Sequence, residues 1–251
     1  MPIDDALAQL GPSIKYETPK PKGAITGFAD GDFFKFPIAD VKNNLSQDYL
    51  NFLKQSGYAP NLDSATELRI AKYPLKINKE VKEASKTAGI SISGKANSYL
   101  ASINHTDSRK LAETLGYRLP TAAIMYKLFI PYIKNLTESG DKDAKTMLKV
   151  MTDTRAEWLE DLILNKNKLK IGNIKTDITL PLQDNIFDRP DINEFGYPSQ
   201  VKAQGEFRYW FPRDNERAVF RDSYSELVLN CSRSPSVSGD VLGVRLTKFF
   251  S

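Results

Sequence analysis

DSRKLAETLGYRLPTAAIM, residues 107–125, is the stretch on which the fold turns. Leu111, Ala112 and Leu115 fall on one helical face, so a helix is expected to open near Thr106 or Asp107. It should stop at Gly116, which tolerates the left-handed conformation that closes helices. Pro120 disfavours helix at Leu119. Thr121 is a good N-cap for a following helix over AAIMYKLF, which Pro131 should kink or end.

Working outward toward the N-terminus, residues 45–58 have a helical pattern, with Ser46 as cap, Tyr49, Leu50, Phe52 and Leu53 on the apolar face and Gly57 as stop. FFKFPIADV, short and aromatic, suggests a strand, and residues 60–100 hold strand-like pieces (ELRIAKYPLKI, GISISG) around a Lys/Glu-rich turn or short helix. The first thirty residues, with Pro12, Pro19 and Pro21, resemble an extended arm. Toward the C-terminus, residues 138–164 look helical, with DKDAK leading into MLKVM and AEWLEDLIL. From Leu169 onward, short strands alternate with turns rich in Gly, Asn, Asp and Pro. Helices in the middle and strands at both ends predict a single α+β domain over residues 1–251, with helices packed around small antiparallel sheets.

Composition narrows the chemistry. The 251 residues are 41% hydrophobic and 26% charged, enough for a substantial core. The 35 basic side chains against 31 acidic ones are scattered, which argues against a nucleic-acid partner. One cysteine, Cys231, excludes an intrachain disulfide and a multi-cysteine zinc site, and one histidine, His105, excludes a histidine-rich metal centre. Cys231 is expected to be a small apolar filler on a strand, and His105, in the polar run INHTD, to be a surface or capping residue. MPIDDALAQLG lacks the basic and apolar blocks of a secretory leader, and no run approaches the roughly 18 apolar residues of a membrane span. A soluble protein of a reducing compartment is expected, with later display on a virion or cell surface left open.

Three pieces of sequence, taken in order, resemble the formylglycine-generating-enzyme branch of the C-type lectin fold. GYRLPT within residues 107–125 resembles that family's Arg-Leu-Pro-Thr segment, RAEWLED its Glu-Trp pair, and Gly205 to Trp210 with Arg217-Ala218 and LGVRL its terminal strands. VKNNLSQDYLNFLKQSGY is similar to the family's opening helix. Structural roles are expected for Arg118 (pairing a buried carboxylate), Trp158 (filling core volume) and Gly243 (permitting a close backbone approach). The enzymes of the family depend on cysteines near the C-terminal end, and a cysteine pair cannot be built here from Cys231 alone.

The resemblance extends to another group with this fold, the variable ligand-binding proteins of diversity-generating retroelements. In these, error-prone copying at template adenines rewrites the 3′ end of the gene. It implies a non-enzymatic receptor with a variable region at about residues 205–245, no cofactor and a protein or glycan target on a cell or particle surface; calcium is not expected, because no acidic cluster of the kind that carries it lies near the ending. Oligomeric state stays open. An oxidase like the formylglycine-generating enzymes and an undiversified structural protein of virion or surface are the alternatives.

The residues fit that implication. Neither parity of RAVFRDSYSELVL is uniformly apolar, so a turn or bulge near residues 222–225 is expected. Aromatic, arginine and small polar side chains of the kind found in paratopes crowd the segment. The expected ligand surface comprises Tyr209, Trp210, Arg213, Asp214, Asn215, Arg217, Arg221, Asp222, Tyr224, Ser232 and Arg233.

Overall fold

A computed structural model describes residues 28–153, 156–213, 216–223, 227–238 and 242–251. The expected arm of residues 1–30 therefore lies almost wholly outside the described residues, as do Asp214, Asn215 and Tyr224.

In chain order the elements are β1 (Phe33–Pro37), α1 (Ile38–Asn44), α2 (Gln47–Gln55), β2 (Glu67–Ala71), α3 (Lys79–Ala88) and α4 (His105–Thr114). A π-helical stretch, Ile124–Phe129, runs straight into α5 (Ile130–Glu138), and α6 (Lys142–Asp153) follows. The strands β3 (Ala156–Leu164), β4 (Lys168–Ile171), β5 (Ile174–Asp177), β6 (Asn185–Phe187), β7 (Phe207–Trp210), β8 (Glu216–Ser223), β9 (Leu227–Arg233), β10 (Leu242–Val244) and β11 (Thr247–Phe250) complete the fold. This is the mixed α+β class expected from the sequence.

The helix ends obey local chemistry. Ser46 Oγ accepts from Tyr49 N at 3.2 Å, Asn78 Oδ1 from Val81 N at 2.9 Å and Asn104 Oδ1 from Asp107 N at 2.8 Å. Thr121 Oγ1 accepts from Ile124 N at 3.3 Å, as its place before the helix predicted. Pro131 does not end that helix. It has no N–H to give, and the wider π turn just before it, where Ile130 N bonds to Met125 O, accommodates its ring.

Two sheets organise the chain. β1, β2 and β11 form an antiparallel sheet in which the first and last strands of the described residues flank β2. The other sheet has the order β5-β4-β3-β8-β9-β7-β6, with β10 beside the first half of β3. Most pairings are antiparallel, as the sequence suggested, while β7 runs parallel to β9 and β10 parallel to β3.

AEWLEDLIL is a strand, not the expected helix. β3 lies between β8 on one side and β4 and β10 on the other, and all of its residues except Leu164 are buried. With both faces covered, its apolar residues need not alternate, and the run passes for a helix face. Leu159, Ile163, Val219 and Leu229 meet one core, which holds Tyr49, Met125 and Phe129. Trp158, Leu162, Ala218 and Phe220 meet a second core, which holds Val81, Leu111 and Leu119. The missing alternation in β8 has the same cause, because it is a central strand between two cores. GISISG forms no strand, and the Lys/Glu-rich turn before it is the full helix α3.

Candidate functional site

The ladder of β7, β8 and β9 fixes where the expected ligand residues go. Trp210 pairs with Asn230, Ala218 pairs with Arg233, and Asn185 of β6 pairs with Tyr209. The end of β7, the start of β8, the end of β9 and the start of β6 therefore share one edge of the sheet. Trp210, Arg213, Arg217, Ser232 and Arg233 all lie at this end, across two strand spacings or roughly 10 Å.

Each is held differently. Trp210 and Arg217 are half-buried, while the Arg213 side chain is 63% exposed. The Arg213 guanidinium pairs with Asp184 Oδ2 at 2.5 Å and lies 5.6 Å from the Phe211 ring centroid, and Phe211 N donates to Asp184 Oδ1 at 3.0 Å. Arg233 spreads over the Phe220 ring at 5.6 Å. Ser232 N and Oγ both donate to Asn230 Oδ1, at 3.0 and 2.7 Å. The sequence reading missed Asp184, which anchors Arg213, and Leu182, which is 66% exposed two residues earlier. PLQDN at residues 181–185 carried the signal, a turn composition between two strands.

Three expected ligand residues do not belong to this surface. Tyr209 is fully buried: on an alternating strand it faces inward where Trp210 faces outward, and its hydroxyl donates to Pro181 O at 3.3 Å. Arg221 is also fully buried, at the heart of an ion-paired network. Asp222 pairs with Val228 near the opposite end of the β8/β9 hairpin, five residues or roughly 17 Å along the strand from Arg217.

Arg221 belongs to a buried network in the interior of the fold. Arg245 donates to both oxygens of Glu157, at 2.7 and 2.8 Å, and to the carbonyls of Ala71 and Lys72, at 2.5 and 2.6 Å. Arg221 Nη2 donates to Glu157 at 3.2 Å, and its Nη1 donates to Met151 O. Burial alone would raise the Glu157 carboxyl, but the two guanidiniums override it and hold it at about 2.

The segments that carry the resemblance meet here. Gly243-Val244 of LGVRL pairs in register with Glu157-Trp158, and a Cβ on Gly243 would sit 3.1 Å from Leu100 O, a tight approach. Arg118 and Thr247 exchange backbone hydrogen bonds, and Glu160 N donates to Pro120 O at 2.9 Å. Trp158 is fully buried, with its Nε1 donating to Ile103 O at 2.7 Å. Arg118, expected to pair with a buried carboxylate, instead pairs with the exposed Glu113; the buried Glu160 is taken by Arg109 at 2.8 Å.

Two further buried groups flank β3. Asp161 accepts from Ala122 N and from Tyr197 Oη, both at 2.9 Å, and burial pushes its carboxyl up to about 7. His105, expected to be a surface or capping residue, opens α4 but is buried against Trp158 at 5.6 Å and donates from Nε2 to Leu159 O at 2.8 Å. Burial and then Arg109 push its imidazole down to about 3. Cys231 is the buried filler that the sequence suggested, its thiol pushed up by burial. Among the described residues, no three His, Cys, Asp or Glu side chains converge as metal ligands, and no helix is long and apolar enough to cross a membrane.

Comparison with family models, with curated proteins and with solved structures gave no match.

Proposed function

We propose that the protein is a non-enzymatic receptor: a variable protein of a diversity-generating retroelement, on a C-type lectin fold of the formylglycine-generating-enzyme-like subclass, that recognises a protein or glycan on a cell or particle surface. One observation carries this reading. Trp210, Arg213, Arg217, Ser232 and Arg233 gather at one end of the eight-stranded sheet. Such a set suits recognition, because aromatic and arginine side chains give large contact areas and directional hydrogen bonds when the backbone below them is fixed. The meeting of the RLPT, Glu-Trp and Gly-Val-Arg segments around Glu157 supports the fold assignment.

The displayed and buried residues divide cleanly, which gives the test. Sequencing the DNA on both sides of the gene should reveal a reverse transcriptase and a near-identical repeat of the codons for residues 205–245. In that repeat adenines should fall at the codons of Trp210, Arg213, Arg217, Ser232 and Arg233 and spare those of the buried Phe220 and Arg221. A locus without the transcriptase or without the repeat overturns the proposal.

A further inference from the structure

The second feature of interest lies on the three-stranded sheet, away from the ligand surface. Thr247 N donates to Arg118 O and Arg118 N donates to Thr247 O, both at 2.9 Å. Alternate residues of a strand turn their N–H and C=O groups to the same side. Leu246 and Phe250 turn theirs toward β2, where Ala71 N donates to Leu246 O and Thr66 N to Phe250 O. Phe249 therefore presents its N–H and C=O on the side of Thr247 and Arg118.

A continued antiparallel ladder would place Gly116 opposite Phe249. It cannot. Gly116 has φ +78° and closes α4, its N–H donating to Glu113 O and that of Tyr117 to Ala112 O, both at 2.9 Å. The ladder stops after one bridge, and beyond it opens a groove of about 250 Å³ between Gly116, Tyr117 and Arg118 on one wall and Pro60 and Asn61 on the other. Among the described residues nothing hydrogen-bonds to the N–H or C=O of Phe249.

Charge selects the occupant. Arg118 is matched by Glu113, but the Lys248 ammonium has no carboxylate partner among the described residues and rests over the rings of Tyr117 and Phe250, at 5.4 and 5.2 Å. A second copy of the chain pairing edge to edge through β11 would bring Lys248 and Arg118 against their own counterparts, a like-charge arrangement that opposes pairing. We propose that this groove takes an extended acidic segment of a partner protein as an added strand, with backbone bonds to Phe249 and a carboxylate on Lys248.

Two fluorophore-labelled octapeptides of alternating valine with glutamate or with lysine, titrated against the full chain by anisotropy, test it. The glutamate peptide should bind at least ten-fold more tightly than the lysine peptide, more weakly as salt rises, and should shift backbone amide resonances at Gly116–Arg118 and Thr247–Ser251. Lys248→Glu should reverse the preference. Phe249→Pro, which removes the outward N–H and leaves the β2 ladder alone, should abolish binding with an unchanged circular dichroism spectrum; if that variant fails to fold, Lys248→Glu decides. Absence of binding, equal affinity for both peptides, or indifference to Lys248→Glu overturns the proposal, as does a wild-type dimer that Lys248→Glu strengthens. Trp210→Ala should leave the peptide affinity unchanged, so this groove and the ligand surface stand or fall separately.

Discussion

Asp161 and His105 lie on opposite sides of a stability balance. Asp161 titrates at about 7 in the folded chain against 3.8 for an ordinary aspartate, so the folded state holds the proton that the unfolded state has lost between those values. Stability from this group is complete below about pH 4 and is lost as pH rises toward 7, by up to about 1.4 kcal/mol per pH unit. His105 titrates at about 3 against 6.5, so its contribution is complete above 6.5 and is lost as pH falls toward 3, with the same limiting slope. The windows overlap between about pH 4 and 6.5, where the two slopes oppose each other. Urea unfolding of Asp161→Asn between about pH 5 and 6.5 should therefore rise more steeply with pH than wild type, and that of His105→Gln should fall. A wild-type profile in either variant means that the group titrates normally. At this scale the sequence was informative where chemistry is self-contained, as for Cys231 or Trp158. It misled where a residue's role depends on a distant partner. Nothing near INHTD announces Leu159 O, and nothing near Arg221 announces Glu157, 64 positions away.

At the scale of elements, caps and stops were legible because they are written within four residues: Ser46, Thr121 and Gly116 all act as their types suggest. The type of a doubly buried segment was not, since β3 shows helix-like apolar spacing without being amphipathic. Loop 188–199 shows what lies between these cases. Gly196 has φ +89°, and a Cβ there would lie 2.2 Å from Ala123 N and 2.4 Å from Ala122 C. The backbone of the loop thus packs directly on the start of the helix whose Ala122 amide holds Asp161. Gly196→Ala should cost well over about 1 kcal/mol in a thermal melt, because both the conformation and the contact are lost. Gly140→Ala, also at positive φ but with open space around it, should cost less; equal losses would mean that conformation alone sets the penalty.

Across the whole molecule, the α+β class and the assignment of the last third to strands followed from periodicity and turn residues. The eight-stranded order, the parallel pairings and the split of the expected ligand residues did not, because register is a property of pairs of strands. That split separates display from support and makes the two measurable apart. The double variant Trp210→Ala/Arg213→Ala should change unfolding free energy by less than about 1 kcal/mol, while Arg245→Ala, which strips Glu157 of its bidentate partner, should cost about 3–5 kcal/mol. Similar losses in the two would place the first pair in the framework and remove the proposed ligand surface.

β10 and Arg245, the partner of Glu157, end the segment proposed to vary, and β11 follows it; the two strands complete both sheets. Any copying error that shifts the triplet phase upstream would scramble all of this at once, so no such product could fold. Under the proposed diversification, the tail acts as a checksum: only copies with an intact codon phase yield a protein able to meet a target.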